Sequence, residues 1–245
     1  RRDLVIYVRD EPRPDGGRRP PNPVPVEGAE IRALGRALEV DGEPLEIRGV
    51  CWSPVDRGRV LPPDFEGFVD EDAPLMAAAG INAVRTFSAI RDRRVLDVLQ
   101  ANGIWVIETV FAVSDQTTEE VLDVVRDHRD HPAILMWALG NEWNYNGLYT
   151  GLVFDESLER IEALAQEIHA VDPDHPVATV YGEAPTAGVV ESLPSIDVWG
   201  LNVYRGLALN VFDRWAAVHG QPLLVAEYGA DAYDARMDAP NPEAQ

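Results

Sequence analysis

The stretch AILMWALGNEW, residues 133–143, decides which fold the sequence predicts. Its first seven residues, Ala133 to Leu139, are apolar or small, and such an unbroken run is typical of a strand that is buried on both faces. Asn141 and Glu142 follow directly, and aromatic residues come close behind them. The pattern therefore predicts a core strand whose carboxyl end carries a carboxylate surrounded by aromatic rings.

Six other apolar segments of similar length recur along the chain, and helical patterns lie between them. The segment TTEEVLDVVRDH begins with Thr117 and Glu120 in capping-box spacing. Strands that alternate with helices in this way predict an α/β fold with a parallel sheet. The seven predicted strands are IRGVCW (47–52), NAVRTF (82–87), IWVIETV (104–110), AILMWAL (133–139), PVATVY (176–181), DVWGLNVY (197–204) and PLLVAEY (222–228).

A parallel α/β sheet can be doubly wound or can close into a barrel. No glycine-rich phosphate loop follows the first predicted strand, which counts against a nucleotide-binding doubly wound sheet. We therefore predict a parallel (β/α)8 barrel of the TIM type. Such a barrel needs an eighth strand, so we expect it to be truncated after its seventh strand in this chain. The alternative is that LVIYV, residues 4–8, supplies the missing strand.

The region before the first barrel strand has two distinct parts. Residues 10–28 are dense in Pro and Gly, which predicts a linker. The segment ALEVDGEPLEI, residues 37–47, has two alternating halves about Asp41 and Gly42, which predicts a hairpin. We therefore divide the chain into an upstream strand and linker, residues 1–28, and a barrel domain that is incomplete at its C-terminus, residues 29–245.

The composition limits the classes of partner. The chain has 245 residues and a net charge of −21, which disfavours nucleic acid and anionic membranes as partners. Its apolar runs are too short for membrane insertion. The single cysteine, Cys51, offers no metal cluster. His128 and His131 precede a strand at the end of the barrel opposite the expected site, so we interpret them as structural. We expect neither a metal nor a cofactor.

The active site of a parallel barrel lies at the carboxyl ends of its strands. At these ends the sequence has Arg85, Glu142, Asn202, Tyr204 and Glu227. Two glutamates at one barrel mouth are the paired carboxylates of glycoside hydrolysis, in which one donates a proton to the leaving oxygen and the other stabilises or attacks the sugar carbon. Aromatic rings near such a pair are suited to stacking on the apolar faces of sugars.

The motifs GNEW (140–143) and AEYG (226–229) resemble the acid/base and nucleophile motifs of the retaining glycosidases that are built on eight-stranded barrels. The closer resemblance is to the barrel domain of the β-galactosidase, β-mannosidase and β-glucuronidase family. In that family LEVDGEPLEIRGV, GINAVRT, DHPAILMWALGNE and PLLVAEYG occur in this order. GLNVYRG and EYGAD also resemble fungal β-1,3-glucanosyltransferases. The resemblance covers about residues 37–231.

The resemblance implies a glycoside hydrolase that cleaves β-glycosidic bonds by double displacement with retention of configuration. It implies that Glu227 is the nucleophile and Glu142 the general acid/base. It further implies that Asn141 bonds the sugar 2-hydroxyl, while Arg85 and Tyr204 orient Glu227.

Other residues are candidates for substrate contact, each with a structural alternative. Asn202 ends the sixth predicted strand, and Asp231 follows the seventh. Trp143 and Tyr145 could pack a loop, but their position directly after Glu142 favours sugar contact. Trp52 ends the first strand and fits the core and the site equally well.

Two other functions stay open at this point. The chain could be a β-glucan transglycosylase, in which an acceptor sugar replaces water. It could also be a non-catalytic carbohydrate-binding domain or a truncated remnant. In every case the expected partner is an oligo- or polysaccharide.

Overall fold

The computed structural model describes residues 22–56, 62–204 and 211–229, with two short strands at 233–234 and 239–240. The segment LVIYV, most of the predicted linker and Asp231 lie outside the described residues. Within the described part of the chain, no helix is long and apolar enough to cross a bilayer.

A small antiparallel sheet precedes the barrel. It consists of β1 (Ile31–Leu34), β2 (Ala37–Val40) and β3 (Glu43–Pro44), with β2 in the middle. The predicted hairpin is confirmed, because β2 pairs with β3 around Asp41 and Gly42, which both have positive φ as a tight two-residue turn requires. The strand β1 was not predicted from the sequence.

The main sheet contains seven strands in the described residues, all parallel and in chain order. Each matches one predicted strand, so the parallel barrel topology is confirmed. The strands are β4 (Gly49–Cys51), β5 (Ala83–Arg85), β6 (Trp105–Phe111), β7 (Ile134–Leu139), β8 (Val177–Gly182), β9 (Val198–Val203) and β10 (Leu223–Tyr228).

The two edges of this sheet approach each other and form a nearly closed barrel. The thiol of Cys51 on β4 donates to the carbonyl oxygen of Ala226 on β10 at 3.4 Å. At the amino ends of the strands, Ile31 and Leu38 of the small sheet pack in one buried cluster with Ala83, Trp105 and Leu135. The small sheet therefore covers the bottom of the barrel and leaves the carboxyl ends of the strands accessible.

Seven helices are described, and most of them alternate with the strands. The predicted capping box is confirmed, because the Thr117 hydroxyl accepts from the Glu120 N–H and the Glu120 carboxylate accepts from the Thr117 N–H. Gly80 and Gly103 follow two helices with φ of +83° and +69°, a left-handed conformation that glycine adopts without strain. The helices are α1 (Phe65–Ala78), α2 (Arg93–Ala101), α3 (Thr118–His128), α4 (Trp143–Thr150), α5 (Phe154–Val171), α6 (Ala187–Glu191) and α7 (Val211–Val218).

The two histidines before β7 have structural partners. Nδ1 of His128 lies 2.9 Å from Oε2 of Glu108, and both side chains are buried. Nε2 of His131 lies 3.0 Å from Oδ1 of Asp97. These contacts support the structural interpretation of both histidines.

Candidate active site

Glu227 lies near the end of β10 and is held by two donors from other strands. Nη1 of Arg85, the last residue of β5, donates to its Oε1 at 2.9 Å. The hydroxyl of Tyr204, which follows β9, donates to its Oε2 at 2.6 Å. Both oxygens of this carboxylate therefore accept a hydrogen bond, and the two donors are the ones that the family resemblance implied.

Arg85 connects Glu227 to the end of β7. Its Nη2 donates to Oδ1 of Asn141 at 2.7 Å, while its guanidinium carbon lies 4.7 Å from the centre of the Phe87 ring. Its side chain is 4% exposed. Three hydrogen bonds, the third to Sγ of Cys51 at 3.7 Å, and a ring contact hold the guanidinium. A planar guanidinium suits this arrangement because it presents several donors at fixed angles.

Glu142 belongs to the same hydrogen-bonded group. Nδ2 of Asn202, a residue of β9, lies 3.1 Å from Oδ1 of Asn141 and 3.1 Å from Oε1 of Glu142. Side chains thus connect Glu142 to Glu227 through Asn202, Asn141 and Arg85. Within the described residues, Glu142 forms no ion pair, whereas Glu227 pairs with Arg85. The two carboxylates therefore differ in electrostatic surroundings.

The backbone at Glu142 is left-handed, with φ 49° and ψ 34°. Its N–H donates to the carbonyl oxygen of Val180 at 3.0 Å, and its own carbonyl accepts from the N–H of Tyr145 and Asn146. A left-handed conformation costs a residue other than glycine roughly 1–2 kcal/mol. Such strain is often found at functional positions.

Two of the site candidates, Trp52 and Trp143, lie in the core of the structure. Trp143 is fully buried, and its Nε1 donates to the hydroxyl of Thr179 at 2.9 Å. Trp52 is also buried; its Nε1 donates to Asp72 and its ring packs on Phe65. Sugar contact therefore does not fit either ring. These contacts match the structural alternatives from the sequence analysis, in which Trp143 packs and Trp52 belongs to the core.

The tyrosines at the barrel mouth are accessible. Tyr145 is 60% exposed and Tyr204 is 42% exposed. The Asn144 side chain next to Tyr145 donates from Nδ2 to the carbonyl oxygen of Gly182 and accepts from its N–H. Both tyrosines remain candidates for substrate contact.

Sequence reasoning missed three residues that shape this site. Nδ2 of Asn146 donates to the Asn141 carbonyl at 2.7 Å, Asn144 bonds the end of β8, and Phe87 lies beside the Arg85 guanidinium. Phe87 could have been found, since alternation along NAVRTF puts it on the same face as Arg85. The two asparagines lie in α4, whose start directly after the left-handed residue Glu142 was not indicated by any sequence pattern.

Two carboxylates at one barrel mouth, with unequal donors, can divide the work of a nucleophile and a proton donor. Within the described residues, no group of three or more His, Cys, Asp or Glu is arranged to hold a metal ion.

Comparison with known proteins identifies related barrels. The family model for glycosyl hydrolases family 2, TIM barrel domain, matches residues 112–240. The β-glucuronidase of Rattus norvegicus is 26% identical over an alignment of 244 residues in length; the alignment covers 89% of this chain and 36% of the relative. The β-galactosidase of Klebsiella pneumoniae is 25% identical over an alignment of 223 residues in length, which covers 78% of this chain and 19% of the relative.

Solved structures agree on the fold. The Bacteroides uniformis β-glucuronidase has a TM-score of 0.64 at 22% identity, over 84% of this chain and 27% of that chain. The β-D-glucuronidase of Dictyoglomus thermophilum gives 0.61 at 20% identity, over 84% of this chain and 40% of that chain. The chain spans about a third or less of the length of the curated relatives named above.

Proposed function

Since the chain belongs to glycosyl hydrolases family 2 through its TIM barrel domain, we propose that it hydrolyses β-glycosidic bonds with retention of configuration. Glu227 is the nucleophile and Glu142 the general acid/base. The substrate is an oligo- or polysaccharide or another β-glycoside. β-Glucuronides and β-galactosides are the first to test, because the relatives carry the names of those activities.

The reaction has two steps in this proposal. A carboxylate oxygen of Glu227 attacks the anomeric carbon and forms a covalent ester, while the bond to the leaving oxygen breaks and Glu142 donates a proton to that oxygen. Glu142 then takes a proton from a water molecule, whose oxygen attacks the anomeric carbon and displaces Glu227. Two inversions at the same carbon give net retention.

One observation carries the assignment of roles: Arg85 and Tyr204 both donate to Glu227. A nucleophilic carboxylate must be held in place with its negative charge balanced, and a cation and a hydroxyl that donate to its two oxygens do both. Glu142 accepts instead from the neutral amide of Asn202. Opposite surroundings suit the opposite tasks of the two carboxyl groups.

Asn141 supports the same assignment. Its Oδ1 accepts from both Arg85 and Asn202, which fixes the orientation of the amide. Its Nδ2 is then the group that would donate to a sugar hydroxyl, and the 2-hydroxyl is our candidate. Hydrogen bonds to that hydroxyl strengthen in the transition state of glycoside hydrolysis.

The proposal is tested with the 4-nitrophenyl β-glycosides of glucuronic acid, galactose and mannose. Release of nitrophenol identifies the sugar, and proton NMR early in the reaction identifies the first anomer formed. We expect the β-anomer first. The α-anomer first would contradict the double displacement. No release from any of the three substrates by folded protein would contradict hydrolysis and favour a non-catalytic domain.

A further inference from the structure

The end of β8 lacks a side chain beside the candidate site. Gly182, its last residue, is the register partner of Asn202 on β9. Register partners on neighbouring strands present their side chains to the same face of the sheet. Since Asn202 bonds Glu142 and Asn141, a side chain at position 182 would point to the same side, into the barrel mouth.

The Tyr145 ring occupies the space that Gly182 leaves. A Cβ atom added at Gly182 would lie 2.3 Å from Cε2 and 2.5 Å from Cδ2 of Tyr145. The neighbouring Asn144 fixes the start of α4 to β8, because its side chain bonds both the N–H and the carbonyl oxygen of Gly182, at 2.8 Å and 3.0 Å. The ring is therefore positioned against the strand end, although 60% of the residue is exposed.

The position of Tyr145 relative to Glu142 decides which part of a substrate it meets. Tyr145 lies three residues after Glu142, and its N–H donates to the carbonyl oxygen of Glu142 at 2.8 Å. Tyr204, in contrast, bonds Glu227. A general acid faces the leaving oxygen, so a ring on the Glu142 side adjoins the leaving group.

We propose that Tyr145, seated over Gly182, is the stacking surface for the leaving group, and that this subsite takes a pyranose or aryl ring. This inference rests on the proposed function, since it uses Glu142 as the acid/base. A pyranose or aryl ring has an apolar face that can stack on an exposed aromatic ring, and the stacking removes both apolar surfaces from water. The face of the Tyr145 ring, not its hydroxyl, makes the contact.

The first experiment compares two good leaving groups of different size on the same sugar. Fluoride and 4-nitrophenolate both leave with little help from an acid, but only nitrophenolate can stack. In Tyr145→Ala we expect kcat/KM for the 4-nitrophenyl glycoside to fall roughly fivefold, in line with aromatic pair energies. The value for the glycosyl fluoride should change by less than about twofold. Tyr145→Phe, which keeps the ring, should behave as wild type on both.

A second pair of variants tests the packing of the Tyr145 ring against Gly182 without a substitution at Tyr145 itself. Gly182→Ala adds a Cβ where the ring lies and should displace it, so it should reproduce the selective loss on the nitrophenyl glycoside. Gly188→Ala is the matched control, because a Cβ added there has no atom within 4 Å. It should leave both substrates unaffected.

A binding measurement keeps the inference testable without turnover. By calorimetry, the 4-nitrophenyl 1-thio-β-glycoside should bind wild type more tightly than the methyl thioglycoside, and Tyr145→Ala should remove that difference. Equal losses on fluoride and nitrophenyl substrates, or an unchanged binding difference in Tyr145→Ala, would overturn the subsite. Failure of wild type to turn over any substrate would instead refute the proposed function, and the binding comparison would then decide on Tyr145 alone.

Discussion

Arg85 and Glu227 form a buried ion pair across the mouth of the barrel, with Nη1 of Arg85 2.9 Å from Oε1 of Glu227. Their side chains are 4% and 9% exposed. They come from the second and seventh of the parallel strands described, so the pair connects strands on either side of the seam between β4 and β10. Removal of either charge would leave the other buried without a partner, which costs more free energy than burial of the pair.

Removal of one partner should therefore destabilise the fold more than removal of both. We expect Arg85→Met to lower the free energy of unfolding by about 3–5 kcal/mol, because it leaves a buried carboxylate without its cation. The double variant Arg85→Met with Glu227→Gln should recover much of this loss. Urea unfolding of the two variants and wild type measures the difference. Equal stability of Arg85→Met and wild type would contradict the buried pair.

The proposed roles of the two glutamates predict different kinetics for their alanine variants. Glu227→Ala should abolish glycosyl transfer from every substrate, since no covalent intermediate can form. Glu142→Ala should spare the first step with 4-nitrophenyl glycosides and slow unactivated substrates, with a loss of roughly 10²–10⁴-fold. Steady-state and burst kinetics on both substrate types separate the steps. Equal losses on both types in Glu142→Ala would show that the roles are misassigned.

Trp143 should behave as a core residue. Its ring is fully buried, bonds Thr179 and packs at 5.1 Å from the Tyr181 ring. We expect Trp143→Ala to lower the free energy of unfolding by about 3–5 kcal/mol through the cavity it leaves. Chemical denaturation measures this change. A stable Trp143→Ala variant with weaker sugar binding would restore the interpretation of Trp143 as a sugar contact.

The buried His128–Glu108 pair predicts a dependence of stability on pH. Burial alone lowers the pKa of His128, but the hydrogen bond and charge of Glu108, with a smaller contribution from the Asp127 charge, outweigh it and raise the pKa above 6.5. A raised pKa in the folded state contributes stability that is fully present below the unfolded value of about 6.5 and lost as pH rises through the folded value. We therefore expect wild type to lose stability relative to Glu108→Gln above pH of about 6.5. Thermal unfolding of both proteins across this range measures the difference, and parallel curves would contradict the coupling.

Five of the seven barrel strands could be predicted because they are buried throughout, so their sequences are apolar on both faces. IWVIETV illustrates this: β6 extends from Trp105 to Phe111 and is buried throughout. The short strand β1 gave no such signal, since its four residues include exposed Leu34. Its place is decided by pairing with β2 and by Ile31 packing under the barrel, and both contacts are made only in the folded chain.

The sequence indicated the polar residues of the candidate site better than the aromatic ones. Strand periodicity brings Arg85, Asn202 and Glu227 to one end of a parallel sheet, and the structure brings them together there. Trp143 and Tyr145 lie two residues apart in a helix that begins after a left-handed residue. That turn sends one ring into the core and leaves the other exposed, and neither strand nor helix periodicity predicts its direction.

The left-handed backbone at Glu142 has a consequence for how this position can vary. Asparagine tolerates φ of +49° better than glutamate does, so Glu142→Asn should raise the free energy of unfolding by on the order of 1 kcal/mol. Under the role proposed for Glu142, the variant should also lose acid catalysis. Thermal unfolding and turnover assays measure the two effects, and a less stable Asn variant would contradict the strain. Natural proteins commonly trade stability for activity in this way. With the role proposed for Glu142, selection for a durable fold and selection for acid catalysis act in opposite directions at this one position.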